Sequence, residues 1–474
     1  MLCAQLMVIL DATVVNIALP RIEAGLHFSP TSLSWVMNGY TLTFGGLLLL
    51  GGRAGDIFGR RRIFTAGISL FTVASLAGGL APSAGMLLAA RAAQGAGGAL
   101  ASPAVLALIV SSFAEGRERT RALAVYTAVI TGGASLGLVL GGLITQWLTW
   151  RWVLFINVPI GIAAVALAPL FVAETPRQRG RLDVTGAVTS AAGVAALVYG
   201  FIRAAASGWG DGLALGAFAA AAALLAVFLI TETRARQPIT PLRLFADVSR
   251  SGSFLARLLL VAGMFGMFFF LTLFLQKVLG FSPLRAGIAF LPMTLTLFAA
   301  SRAAPRLMPL VGPKPLMAAG LLPVIAAMAW LSRVSPETSY WAGVFGPMLL
   351  FGAGMGTVFV PLTTTSLAGV RSEDSGAASS MVNVMQQAGG ALGLAILVAV
   401  FGGASRDAAR HPLPGAAPLA QAHHVLAHGM AAAFLLAAIL DVASLLVIAV
   451  LIRGRARRLP ARGPAEQEEE AMTA

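Results

Sequence analysis

The sequence is poor in cysteine, in lysine and in charge of any kind. Its one cysteine, Cys3, allows no intramolecular disulfide and no cysteine-based metal site. Lys277 and Lys314 are the only lysines, so nearly all of the 33 basic residues are arginines. With many Ala and Gly residues, that bias points to a GC-rich bacterial genome. Asp, Glu, Lys and Arg make up 11% of the 474 residues, where soluble domains carry about 25%. What is abundant is apolar: 58% of the chain, in recurring runs of about 20 residues, the length of a membrane-crossing helix. No stretch between the runs is long enough for a soluble domain, which argues against a tethered enzyme. No nucleophile–base pair and no metal-ligand set is present, and nothing calls for a cofactor.

We count fourteen runs, so both termini fall on one side of the membrane. Arginine concentrates in the loops after the even-numbered runs and in the C-terminal tail, which makes that side cytoplasmic. The formal charge of +14 is then mainly a topology signal. No basic face belongs to a folded domain, so no nucleic-acid partner is expected. The tail, 454–474, turns from basic to acidic (Glu466, Glu468, Glu469, Glu470) and reads as disordered. The loop from Gly403 to Leu426 carries Pro412, Pro414 and Pro418 and reads as irregular. Asp11 interrupts the first apolar run and no basic segment precedes it, so it is not a signal peptide. Met1 to Pro20 gives about 30 Å of helix, barely enough to span. A cytosolic lead-in is missing, and whether Met1 is the true start is left open.

Asp11 lies near the middle of that run, inside L-D-A-T-V-V-N-I-A-L-P, Leu10 to Pro20. A carboxylate at such depth costs several kcal/mol unless it has a partner or a wet cavity. Arg91, in the fourth run, is the expected partner, with Gln94 one turn away on the same face. A carboxylate held between desolvation and a guanidinium can load and unload a proton, whereas arginine cannot lose its own. The alternative is a purely structural ion pair. Asp441, in the last run, is a second deep carboxylate and ranks below Asp11 as a proton site.

The segment Gly51 to Arg62, G-G-R-A-G-D-I-F-G-R-R-R, combines Gly52, Asp56, Gly59, Arg60 and Arg61 in a tight cytoplasmic reversal. Arg53 to Arg61 is echoed weakly by Arg306 to Lys314, with Pro309 in the place of Asp56. Two related halves are the usual construction of secondary transporters. Gly133, Gly137 and Gly141 recur every four residues and predict close helix contact. Met264, Phe265, Met267, Phe268, Phe269, Phe270 and Phe274 give the ninth run a soft face suited to lipophilic ligands, or to lipid. His423, His424 and His428 are a weak metal signal, and no metal site is assigned.

These residues resemble the major facilitator superfamily, and in particular its fourteen-helix drug:proton antiporters (the EmrB/QacA type). The resemblance rests on Leu10 to Pro20, on the Gly52–Arg61 loop, and on Arg91, Gln94, Gly95 and Gly97. It rests also on Trp150 to Gly161, Phe274 to Pro283 and Asn383 to Gly393. One departure is Leu138, which stands where the fifth-helix antiporter motif has proline. The resemblance implies an all-α fold of two six-helix lobes, 1–174 and 251–453, with two inserted helices in 175–250. It implies that Asp11 and Arg91 face a central cavity together, and that Asp56 reaches the helix start near Ser375. Asn16, Asn38, Gln94, Met264, Phe268, Gln276, Asn383 and Gln387 become cavity candidates.

The expectation is a proton-coupled multidrug exporter in a bacterial cytoplasmic membrane, with Asp11 as proton carrier tuned by Arg91. Its partners are small lipophilic, cationic or amphipathic substrates, protons and the bilayer. A monomer is expected, and a periplasmic adaptor only where there is an outer membrane. The alternatives are an exporter dedicated to one endogenous metabolite or antibiotic and, more remotely, a non-transporting sensor or scaffold.

Overall fold

A computed structural model describes residues 1–112, 117–172, 174, 183–234, 242–370 and 375–453. The disordered tail expected at 454–474 lies outside them. In chain order the helices are α1 (Leu2–Leu26), α2 (Trp35–Phe58), α3 (Arg60–Gly79), α4 (Ala84–Ser112) and α5 (Arg117–Trp147). Then come α6 (Trp152–Phe155), α7 (Asn157–Phe171), α8 (Val184–Ser207), α9 (Gly212–Arg234) and α10 (Val248–Leu273), the last continued by a π-turn at Phe274–Val278. The rest are α11 (Pro283–Ala289), α12 (Leu291–Val311), α13 (Pro313–Leu331), α14 (Gly346–Leu367), α15 (Ser375–Arg410) and α16 (Pro418–Leu451). Lipid offers the backbone no hydrogen bonds, so spanning segments are driven to helix even through Pro20, Pro103, Pro305 and Pro361.

Among the described residues twelve spans, counting broken helices as one, are long and apolar enough to cross a membrane, not the fourteen expected. α4 and α5 are helices of 29 and 31 residues that fall outside that count. The irregular loop expected over Gly403 to Leu426 is also corrected. α15 runs on to Arg410 and α16 starts at Pro418, leaving only 411–417 between them. Proline at the first position of a helix loses no hydrogen bond, so Pro418 opens α16 where a breaker was expected.

The pairing of helices repeats. In the first half α2 packs on α4, α3 on α4, α1 on α5 and α3 on α7. In the second, α12 packs on α14, α13 on α14, α10 on α15 and α13 on α16. Small residues make these approaches possible. Gly51 faces the Ala99 carbonyl and Gly356 the Leu297 carbonyl. Gly133, Gly137 and Gly141 face Leu6, Thr13 and Val14 of α1, and Gly389 and Gly393 face Leu258 and Ala262 of α10. The halves meet where α2 packs on α15, α5 on α11 and α1 on α10. α8 and α9 pack on each other, and α8 lies against both α2 and α15.

Candidate functional site: a buried polar knot in the first half

Asp11 is the tenth residue of a 25-residue helix. Its carboxylate, fully buried, is met from two other helices. Arg91 of α4 donates Nη1 to Oδ2 as a buried ion pair. Gln94 Nε2, also from α4, donates to Oδ1 at 3.0 Å, and Asn157 Nδ2, from the start of α7, at 2.9 Å. Both amides donate as well to Ser75 Oγ of α3, at 2.8 and 2.9 Å, and Ser75 Oγ donates in turn to the Leu154 carbonyl at 3.1 Å. Arg91 is fixed further by the Val36 carbonyl (3.0 Å), by Gln94 Oε1 (2.9 Å) and by the Tyr40 ring, 4.5 Å from its guanidinium carbon. All of Asp11, Arg91, Gln94, Asn157 and Ser75 are exposed by 2% or less.

The pairing of Asp11 with Arg91 and Gln94 is therefore present, but its setting is corrected. The group does not face the space between the halves; it lies inside the first half, where α1, α3, α4 and α7 converge. The reason is that the α1 face carrying Asp11 turns toward α4 and α7, while the face carrying Asn16 turns toward α10. Asn157 and Ser75 were missed because a neutral amide or hydroxyl costs little in a membrane helix and gives no warning of its depth.

Asn16 bridges the halves: its Nδ2 donates to the Phe268 carbonyl (3.2 Å) and to Thr272 Oγ1 (2.9 Å). Gln276 Nε2 donates to the Ile17 carbonyl (2.9 Å), and Lys277 Nζ to Glu23 Oε1 (2.5 Å). The π-turn lets Gln276 and Lys277 both reach α1, since one extra residue rotates the side chains that follow. On the same side Gly142 lies against the Pro283 carbonyl and Gly287 against the Leu138 carbonyl, so the residue replacing the motif proline is used for contact with α11.

The remaining candidates scatter. Asn38 is buried, and neither atom of its amide has a hydrogen bond among the described residues. Met264 and Phe268 are half-buried, with Phe268 stacked on Phe290 at 5.6 Å, whereas Met267, Phe269, Phe270 and Phe274 are core. Asn383 is exposed, and Gln387 lies against Gly45 at the α2–α15 contact. Asp441 is buried against Gly263 of α10 with both oxygens unbonded among the described residues.

In the Gly52–Arg61 loop, Asp56 pairs with Arg60, Oδ1 to Nη2 at 3.0 Å. Gly59 takes φ +104°, a conformation open to glycine, and turns α2 directly into α3. The carboxylate on the α3 N-terminus is Glu174, whose Oε1 accepts from the Arg61 backbone at 3.1 Å. Arg61 also donates to the Val172 carbonyl at 3.2 Å. The reach of Asp56 toward Ser375 is not described, because the Ser375 side chain lies outside the described set.

Paired helical halves around an interfacial seam, with a buried carboxylate–arginine knot in one of them, invite comparison with known transporters. The family model of the Major Facilitator Superfamily matches residues 1–394. This chain belongs to that superfamily. It is 45% identical to a puromycin resistance protein of Streptomyces alboniger, over 85% of this chain and 81% of that one. It is 43% identical to a cephamycin export protein of Amycolatopsis lactamdurans, over 84% and 83%. A nucleoside transporter crystal structure superposes with TM-score 0.65 at 12% identity, covering 95% of this chain and 98% of the other; that likeness concerns the fold alone. The protein is a polytopic superfamily member whose relatives are antibiotic resistance and export proteins.

Proposed function

We propose that the protein is a proton-coupled exporter of lipophilic, amphipathic drugs, working by alternating access between the halves 1–174 and 251–453. The observation that carries this reading is the Asp11 knot: a titratable carboxylate, buried at middle depth, in contact with the only kind of cation that cannot give up its charge. A proton arriving on Asp11 would break the ion pair, release Arg91 and unsettle four helices together. α4 and α5 also cross the membrane in this reading, giving fourteen spans, with α8 and α9 inserted and both termini cytosolic. Asp441 is a second place where a proton would remove a buried charge. In this reading the ties at Asn16, Gln276 and Lys277 would hold the outer side closed while substrate is taken up from the cytosol. Each proton moved supplies about 2.3 kcal/mol per 100 mV of potential.

The test uses proteoliposomes of the full chain with an imposed pH gradient. Wild type should accumulate drug against its gradient; Asp11→Asn should lose that accumulation yet keep drug exchange at equal concentrations. Gradient-driven accumulation by the variant would sink the proton assignment.

A second reading is supported by the relatives, two of which are named for a single antibiotic, puromycin or cephamycin. In it the protein exports one antibiotic. A susceptibility panel in an efflux-deficient host, with and without a protonophore, separates the two: protection against one chemical scaffold alone favours the dedicated exporter.

A further inference from the structure

Arg257 is the tenth residue of α10 and only 2% exposed. Unlike Arg91, it has no carboxylate partner among the described residues. Nη2 donates to Thr363 Oγ1 of α14 at 2.5 Å, and Nη1 to Gln386 Oε1 of α15 at 3.3 Å. The guanidinium lies 5.3 Å from the centre of the Phe359 ring, and its Nε is buried with no hydrogen-bond partner among the described residues. Hydroxyl, amide and ring orient the cation without neutralising it. A guanidinium stays charged at any physiological pH. Buried in a membrane protein without an anion, it costs several kcal/mol. Among the described residues this pairing group stands without a counter-charge.

Access to it is short. Thr363, Gln386 and Phe359 are half-buried, and Asn383, one turn before Gln386 on α15, is exposed. The cation therefore lies one layer beneath a polar surface at the seam of α10, α14 and α15. It is about 14 Å along α10 from the end at Val248. By the arginine distribution that end is cytosolic, the side from which substrate would be taken.

We propose that Arg257, with Thr363 and Gln386, binds the carboxylate of a small amphipathic substrate whose apolar body lies against Phe359. One unopposed cation matches a monoanion, and a guanidinium fork fits a carboxylate in a way an ammonium does not. This deepens the export reading by replacing the expected cationic substrate with an anionic or zwitterionic one, and rests on that reading only for the direction of movement.

The test measures binding without transport. The full chain in phosphatidylcholine nanodiscs is titrated with 1-pyrenebutyrate and with 1-pyrenebutanol, which share the same apolar body. A charge-assisted contact predicts the acid to bind about tenfold tighter or better. Arg257→Gln should erase that preference and leave the alcohol unchanged, and Arg257→Lys should keep part of it. Should Arg257→Gln fail to fold, Thr363→Val retains the cation and should still reduce the preference several-fold. Equal affinities in wild type, or a preference that survives Arg257→Gln, overturn the proposal. Loss of the preference in nanodiscs containing phosphatidylglycerol, or in excess inorganic phosphate, assigns the site to a lipid headgroup or a free anion and overturns it too. Preferential binding with no export under any gradient counts against the export reading alone.

Discussion

Asn157 Nδ2 touches Asp11 Oδ1 and Ser75 Oγ at the same distance, 2.9 Å. One amide nitrogen thus ties α7 to both α1 and α3, at a buried point. Asn157→Leu removes both bonds at once and leaves Asp11 with one donor fewer. We expect a loss of about 1–3 kcal/mol in stability, read as a lower melting temperature in detergent. Asn157→Asp should be worse, since it sets a second carboxylate against the first; a variant as stable as wild type would contradict the knot.

Asp11 and Arg91 should behave as a coupled pair. Removing either alone, as Asp11→Asn or Arg91→Gln, leaves a buried charge and should cost about 3–5 kcal/mol. The double variant should recover much of that, yet remain uncoupled from the proton gradient. A double-mutant cycle with additive costs would show that the two do not depend on each other.

In the proposed transport cycle the contact between Glu23 and Lys277 would hold the outer side closed. With Cys3→Ser as background, Glu23→Cys with Lys277→Cys gives a pair across the halves. A short thiol-specific cross-link should stop transport, and a cleavable linker should restore it on reduction. Full transport through the cross-linked protein would remove these residues from the closing contact.

Glycine positions divide by what surrounds them. A Cβ on Gly141 would lie 2.9 Å from the Val14 backbone, which cannot move aside, so Gly141→Ala should cost about 1–3 kcal/mol. Gly216, on α9, has nothing within 4 Å of its notional Cβ. Gly216→Ala should stabilise its helix by about 0.5–1 kcal/mol. Thermal melts of the two variants should move in opposite directions.

One pH effect is expected outside the membrane. Arg203 donates to Asp211 through Nε (3.0 Å) and Nη2 (3.1 Å) and holds that carboxyl below its ordinary range. A carboxyl with a depressed pKa contributes stability above its unfolded value and loses it as pH falls through the folded value. The turn between α8 and α9 should therefore loosen only below about pH 4, and Asp211→Asn should loosen it at every pH. Protease cleavage at that turn, followed against pH, checks both.

Much of this was legible in the sequence, for a physical reason. Apolar runs of spanning length have one solution in lipid, and a charge inside one is too costly to be idle; hence the helices, Asp11 and Arg91. The face each charge turns was not legible. Depth follows from counting residues, but rotation about the helix axis depends on neighbours, so Asp11 was assigned to the wrong side of α1. A similar slip of about 100° explains Gln386 and Gln387: the second was singled out, the first meets Arg257. Arg257 itself gave no signal, because four turns of apolar sequence after it say nothing about what lies across from it. Glu174 was invisible because its partner, Arg61, is more than a hundred positions away along the chain.

The placement of α8 has a consequence for traffic. It leans on α2 through Ala191 against Gly46, and on α15 through Ala205 against Gly402. α8 therefore covers one flank of the α2–α15 contact. If the protein exports lipophilic substrates as proposed, one taken up from the leaflet would reach the α2–α15 contact only from the flank that α8 does not cover.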